Sequence, residues 1–279
     1  MAARQAPQSA PMWPADWRVL HASFVTETAG STIWRVRLVG APGTAVAKVL
    51  KPAADAADEL RAAHYLRWRA GEGAVRLLAE DGLMLLLEDG GVAPLESLPD
   101  AAAMPVAADV LARLHQPRPA PAALQPLHER FGALFRRVTT PHDAAYALAA
   151  DIAHELLDAL HTPVALHGDL HHENVVHGAR GWLAIDPKGV RGDAAFDAAN
   201  WFYNPWGQDA LHRQAERIAA LAQVLAAPLG CTSAHVLRHA VAYGGLSVAW
   251  FAEDGDVANE RRTLTTLQAV HAAWRAGGF

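Results

Sequence analysis

The first third of the chain alternates apolar and polar positions with a period of two, the signature of half-buried strands. Val19–Glu27 and Ser31–Leu38 are two such runs, joined by the small-residue turn TAGS. Residues 44–50, TAVAKVL, predict a third short strand that Pro52 ends. The stretch DAADELRAAHYLRW predicts a helix over about residues 55–70. Its acids fall in the first turn and its arginines near the end, the order that the helix dipole favours. Residues 75–80 and 82–87 predict a hairpin that turns at Asp81-Gly82.

After EDGG, residues 88–91, the period becomes helical. Helices are predicted at about 103–115, 124–137 and 144–161, and Pro117, Pro119, Pro121 and Pro126 punctuate the chain after the first of them. A short strand pair at 175–177 and 182–185 comes next, and the remainder from about 193 reads as helical. The order predicts an α+β protein: a loose tail over 1–11, an antiparallel five-stranded N-terminal lobe with one helix over 12–88, and a mostly helical lobe over 89–279.

Composition narrows the function. With 279 residues, 52% hydrophobic and 19% charged, the chain is globular and needs no covalent staple. A net charge of -5 argues against a general nucleic-acid binder and suits a cationic or neutral small substrate. Cys231 stands alone, which excludes an internal disulfide and a cysteine zinc cage and fits a reducing cytoplasm. No run approaches the roughly 18 apolar residues of a membrane span, and MAARQAPQSAP has no apolar signal core. No membrane partner is expected, and a monomer is the simplest oligomeric state.

The densest chemistry lies at residues 167–176, HGDLHHENVV. His167, Asp169, His171 and His172 could be read as metal ligands. However, the adjacent His171 and His172 point to different sides of most backbones, and no distant Cys or Glu-x-x-His completes a cage. Spacing gives a second reading. Asn174 lies five positions after Asp169, and Asp186, in WLAIDPKG, ends the next strand. This is the catalytic set of the protein-kinase-like fold. Asp169 would take or orient the proton of an attacking hydroxyl. Asn174 and Asp186 would hold Mg2+ against the triphosphate of ATP, because magnesium prefers oxygen ligands.

HGDLHHEN carries glycine where protein kinases carry arginine, and so resembles the aminoglycoside phosphotransferase and small-molecule kinase superfamily. HGDLHHENVV, GWLAIDPKGVRGD, FDAANWFYNP and the upstream LKPAADAADELRAAHYLRWRAGEGAVRLL together are similar to the streptomycin 6-phosphotransferase and hydroxyurea-type antibiotic kinase family. The likeness runs from about Trp13 towards the C-terminus. It implies a protein-kinase-like bilobal fold with ATP and Mg2+ as cofactors. It also implies direct in-line transfer to a hydroxyl of an aminoglycoside, with streptomycin foremost, or else of a sugar or amino alcohol.

The resemblance assigns further roles. Lys48, mid-strand in VAKV, is expected on the α- and β-phosphates, with Lys51 as its rival, and Glu59 should pair with it, with Asp55 and Asp58 as rivals. Gly30, Ser31 and Thr32 stand where a phosphate-covering loop belongs, although a Gly-x-Gly-x-x-Gly run is absent. Leu87, Glu88 and Asp89 would offer backbone groups to adenine. Lys188 is either a cation at the phosphates or a solvent-facing lysine. His167 should brace the catalytic loop, and an acid at Asp193 or Asp197 should do the same, with Asp193 also suited to cap a helix starting near Ala194. Asn200, Trp201 and Tyr203 either floor the substrate pocket or belong to the core. His172, Glu173, Asp193, Glu253 and Asp254 are candidate substrate residues, the last two because WFAEDGD could bind guanidinium groups. A nucleotide-binding module without catalysis is disfavoured by the complete set of residues. A protein-substrate kinase is disfavoured because no Ala-Pro-Glu segment comes after Asp186.

Overall fold

The structure is a computed structural model, and it describes residues 10–28, 30–52, 56–121, 123–140 and 144–277. Asp55 and the tail before residue 10 lie outside the described residues, as does the side chain of Asp58. The N-terminal part contains β1 (Val19–Glu27), β2 (Ser31–Leu38), β3 (Ala45–Leu50), α1 (Ala56–Arg69), β4 (Leu77–Asp81) and β5 (Met84–Glu88). The five strands form one antiparallel sheet in the order β1-β2-β3-β5-β4. Their alternation separates two faces. Trp34, Val36, Ala45, Ala47 and Leu86 join Trp17 in a small core on one face. Ile33, Arg35, Val46, Lys48, Leu85 and Leu87 take the intervening positions and line a cleft on the other.

The C-terminal part contains β6 (Ala93–Pro94), α2 (Asp100–Leu114), β7 (Gln125–Pro126), α3 (Leu127–Arg130), α4 (Gly132–Arg137), α5 (Ala144–Asp158), β8 (Val164–Leu166), β9 (Val175–Gly178), β10 (Gly181–Ala184), β11 (Val190–Gly192), α6 (Phe196–Ala199), α7 (Asp209–His212), α8 (Ala215–Leu229), α9 (Ser233–Glu253) and α10 (Val257–Ala276). Two three-stranded sheets, β10-β9-β6 and β7-β11-β8, flank the HGDLHHENVV segment. The central helix α9 is buried along most of its length, from Val236 to Ala249. Among the described residues no single helix is long and apolar enough to cross a membrane.

Three expectations change. The helix expected over 124–137 breaks into β7, α3 and α4, because Gln125 and Pro126 pair with Val190 and Arg191 of β11. Helix α2 begins at Asp100 rather than near 103, directly after Pro99. Strand β4 begins at Leu77 rather than 75, because Val75 donates its N–H to Ala184 of β10.

Arg69 holds the two parts together. It is fully buried and donates to the carbonyls of Glu72, Arg113 and Leu114, so the end of α1 is locked to the end of α2. Tyr65 and Leu66 of α1 accordingly belong to the larger, C-terminal core. Arg69→Leu would strand these buried carbonyls. It should lower unfolding stability by about 3 kcal/mol in a urea titration.

Candidate active site

Strand β8 delivers the chain to His167, and a buried carboxylate fixes the turn beyond it. Asp197, in α6, accepts the backbone N–H of His167 at 2.8 Å and of Gly168 at 2.7 Å. His115, at the end of α2, approaches the same carboxylate at 3.0 Å. Burial alone would raise the Asp197 pKa, but these donors and the nearby His115 and His167 hold it below the usual carboxylate range. Gly168 sits at φ +82°, and a Cβ there would stand 2.6 Å from Val190 Cγ2, so the motif needs glycine at this position. The fully buried His167 ring places Nε2 2.8 Å from the Ile185 carbonyl, while Nδ1 accepts the Asp169 N–H at 3.3 Å. This fixes a neutral imidazole, and burial lowers its pKa. His167 therefore braces the loop and ties it to the strand end before Asp186.

The half-buried Asp169 carboxylate is positioned by this bracing. Its Oδ1 accepts from Asn200 Nδ2 at 3.0 Å. Asn174 donates its amide nitrogen to the Asp169 carbonyl at 2.9 Å, which leaves Asn174 Oδ1 as the atom turned elsewhere. Asn200 is buried and does not line the cleft; it orients the carboxylate directly. Its sequence signal is the Asp-x-x-Asn spacing from Asp197, which puts both residues on one face of the helical turn after the motif.

A chain of opposite charges crosses the cleft. Lys48 Nζ lies 2.6 Å from Glu59 Oε2 and 2.5 Å from Asp186 Oδ1. Lys188 Nζ lies 2.7 Å from Asp186 Oδ2. The two ammonium groups outweigh the effect of burial and push the Asp186 pKa far down, so this carboxylate is ionised. Asp186 also has φ +56°, a left-handed conformation uncommon outside glycine and frequent at functional sites. Lys51 instead pairs with Glu27 and the Thr28 carbonyl.

The cleft has a volume of 660 Å³. Val25, Val46, Leu66, Val75, Leu87 and Ile185 give it apolar walls, and Lys48, Asn174, Asp186 and Lys188 stand among its polar lining. Gly30 and Ser31 line it, whereas Thr32 does not and accepts from Trp34 Nε1 instead. The Ser31 amide is engaged by Thr28 Oγ1 at 3.0 Å. Leu87, Glu88 and Asp89 line the cleft at the chain crossing. The Glu88 N–H, expected for a base, is donated to the Arg76 carbonyl, while its carboxylate pairs with Arg180 at 2.6 Å. The Asp89 carboxylate is held by Arg35 and Thr44.

The candidate substrate residues part company. Glu173 lines the cleft, and the Glu96 carboxylate lies close to it. Burial and the Glu173 charge raise the Glu96 pKa, and His171 lies close to the same carboxylate. Glu96 has no local sequence signal. His172 is buried against Trp201, with ring centroids 4.7 Å apart. Glu253 is paired with Arg136, Asp254 is exposed, and Asp193 is turned to His235 and His239; none of these lines the cleft. Asp193 accepts from Ala195 N as an N-terminal cap would, but the helix itself starts at Phe196.

A family model described as "Aminoglycoside/hydroxyurea antibiotic resistance kinase" matches residues 16–255. The chain belongs to that family. As a member of this kinase family it is a phosphotransferase, and its fold is protein-kinase-like. It is 40% identical over 249 residues to a streptomycin 3''-kinase of Klebsiella pneumoniae, covering 86% of this chain and 91% of that one. It is 34% identical over 229 residues to a streptomycin 6-kinase of Streptomyces glaucescens, covering 74% and 71%. The crystal structure of aminoglycoside phosphotransferase APH(4)-Ia shares the fold at a TM-score of 0.63 and 16% identity, covering 91% of this chain and 94% of that one.

Buried histidines give the kinase an acid-sensitive fold. Burial and the nearby Arg217 lower His172 from 6.5 to about 3, and His212 falls to about 4 for the same reasons. Below pH 6.5 the unfolded chain therefore binds protons that the folded chain refuses, and stability falls with pH. The lowered pKa of Asp197 continues the loss below the usual carboxylate range. The melting temperature should fall steadily between pH 6.5 and 4. His172→Phe should flatten that slope, with each histidine accounting for at most about 1.4 kcal/mol per pH unit.

Proposed function

We propose that this kinase transfers the γ-phosphoryl group of ATP to a hydroxyl of an aminoglycoside, with streptomycin as the favoured acceptor. One observation carries the reading. Asp169, oriented by Asn200, is hydrogen-bonded to Asn174, and Asn174 lines a cleft whose charged end is Lys48, Asp186 and Lys188. The named activities of the two streptomycin kinases support the acceptor class. A related solved structure, a ternary complex with ADP and hygromycin B, supports nucleotide and aminoglycoside together. The two kinases are named for different positions, 3'' and 6, so neither name fixes the acceptor hydroxyl.

In this reading ATP lies with its base against the apolar walls and its phosphates towards Lys48 and Lys188. The donor set of Asn174 Oδ1 and the ionised Asp186 carboxylate fits Mg2+, which prefers oxygen ligands. Bound there, Mg2+ would supply positive charge against the β- and γ-phosphate oxygens. The acceptor oxygen attacks the γ-phosphorus in line, the bond to the ADP oxygen breaks, and the hydroxyl proton passes to Asp169 Oδ. Asn200 holds that carboxylate at the attack angle. Lys188 balances charge on the transferring group. Glu96 and Glu173 form the acidic rim that takes a guanidinium or ammonium group of the acceptor.

Two variants separate these roles. Asp169→Ala should lower streptomycin-dependent ADP release by about 10²–10⁴-fold with the fold intact; near-normal turnover would sink the assignment. Glu96→Gln with Glu173→Gln should raise KM for streptomycin about tenfold and leave KM for ATP unchanged, as expected of acids that touch the acceptor alone. If a sugar or amino alcohol drives ADP release and streptomycin does not, the acceptor is a metabolite and the antibiotic reading fails.

A further inference from the structure

A second cluster of side chains lies outside the cleft and has the make-up of a metal site. His235 and His239 are four residues apart on α9 and therefore share one of its faces. Asp193, just after β11, is directed at both. Its Oδ2 lies 2.8 Å from His235 Nε2 and 3.5 Å from His239 Nε2. One nitrogen from each ring and one carboxylate oxygen all lie within 4.8 Å of one another.

His239 carries the case. Its side chain is fully buried, its Nδ1 has no hydrogen-bond partner, and its Nε2 has only the Asp193 carboxylate at 3.5 Å. A buried polar group in that condition costs about 1–3 kcal/mol and calls for an explanation. A tetrahedral zinc ion with bonds of about 2.0–2.1 Å would hold its ligand atoms about 3.3 Å apart. The two gaps from Asp193 Oδ2 fall on either side of that separation. The carboxylate is also oriented from behind, because its other oxygen accepts the Ala195 N–H at 2.9 Å, the kind of support that metal ligands receive.

We propose that Asp193, His235 and His239 bind a divalent transition metal, Zn2+ foremost, at a site separate from the catalytic cleft. Two imidazoles and one carboxylate form a complete three-ligand set for zinc, with a fourth position for water. His235 also lines a groove with Glu155, Thr232, Arg238 and Trp274, which supplies an entry path from solvent. The ion joins α9 to the segment between β11 and α6. That segment leads directly to Asp197, the carboxylate that fixes the catalytic loop. Zinc at this place is a clamp on the scaffold and touches no reacting atom.

The test uses the full chain, stripped with a chelator and returned to Mg2+-containing buffer. Zn2+ is titrated by calorimetry, and Co2+ serves as a spectroscopic probe. One equivalent should bind, raise the melting temperature and give a visible Co2+ absorption band. His235→Gln changes a partly exposed side chain and so spares the core, while Asp193→Asn keeps an acceptor for Ala195. Each should weaken binding by about 100-fold. The proposal is overturned if no saturable equivalent binds, if His235→Gln binds as the parent does, or if only His171→Ala abolishes binding, which would place the metal at the catalytic loop.

Discussion

A buried carboxylate organises the catalytic half of this protein. Asp197 is 1% exposed, and an ionised group there is tolerable only because two backbone amides and one imidazole surround it. The arrangement fixes three separate elements at once: the end of α2 through His115, the turn after β8 through His167 and Gly168, and α6 itself. His167 then passes the constraint on, with one ring nitrogen to the loop and the other to the Ile185 carbonyl. Asp169 and Asp186, on different segments, are thereby set in a fixed relation. Removing one carboxylate would leave unpaired donors in the interior and free both Asp169 and Asp186.

The roof of the cleft depends on a simpler rule. A strand presents alternate residues to opposite faces, so the tryptophan core that claims Ala45 and Ala47 forces Val46 and Lys48 into the cleft. Lys48 has little freedom once β3 is paired on both edges. It meets Glu59 and Asp186, and Lys188 closes the far side of the same carboxylate. The charges are matched within a largely buried group, which is the condition under which such a group can be preorganised for a polyanionic ligand.

Much of this is legible in the sequence, and the reasons are local. The bounds of β1 and β2 come from two strand-like runs separated by the small-residue turn TAGS, and Lys48 is preferred over Lys51 because a mid-strand residue has a fixed direction. The spacing of Asp169, Asn174 and Asp186 suggests a set of chemistry-bearing residues, and the fold puts Asn174 and Asp186 in one cleft with Asp169 hydrogen-bonded to Asn174. The hidden features are short or non-local. Strands β8 and β11 have three residues each, too few to show a period. Glu96 meets Glu173 only because the turn after β6 folds against the catalytic loop. The acids of WFAEDGD draw attention by composition, yet Glu253 answers Arg136 at the surface. The choice between Asp193 and Asp197 as the brace needs the actual backbone geometry, because both suit the end of a helix.

The central claim is that this cleft moves a phosphoryl group onto an aminoglycoside hydroxyl. Phosphorus NMR of a reaction containing the purified protein, ATP, Mg2+ and streptomycin tests it most directly. A new phosphomonoester resonance, growing in step with ADP and coupled to a single streptomycin proton, is the expected result, and it also locates the modified position. ADP forming only together with inorganic phosphate, at the rate seen without streptomycin, would contradict the claim.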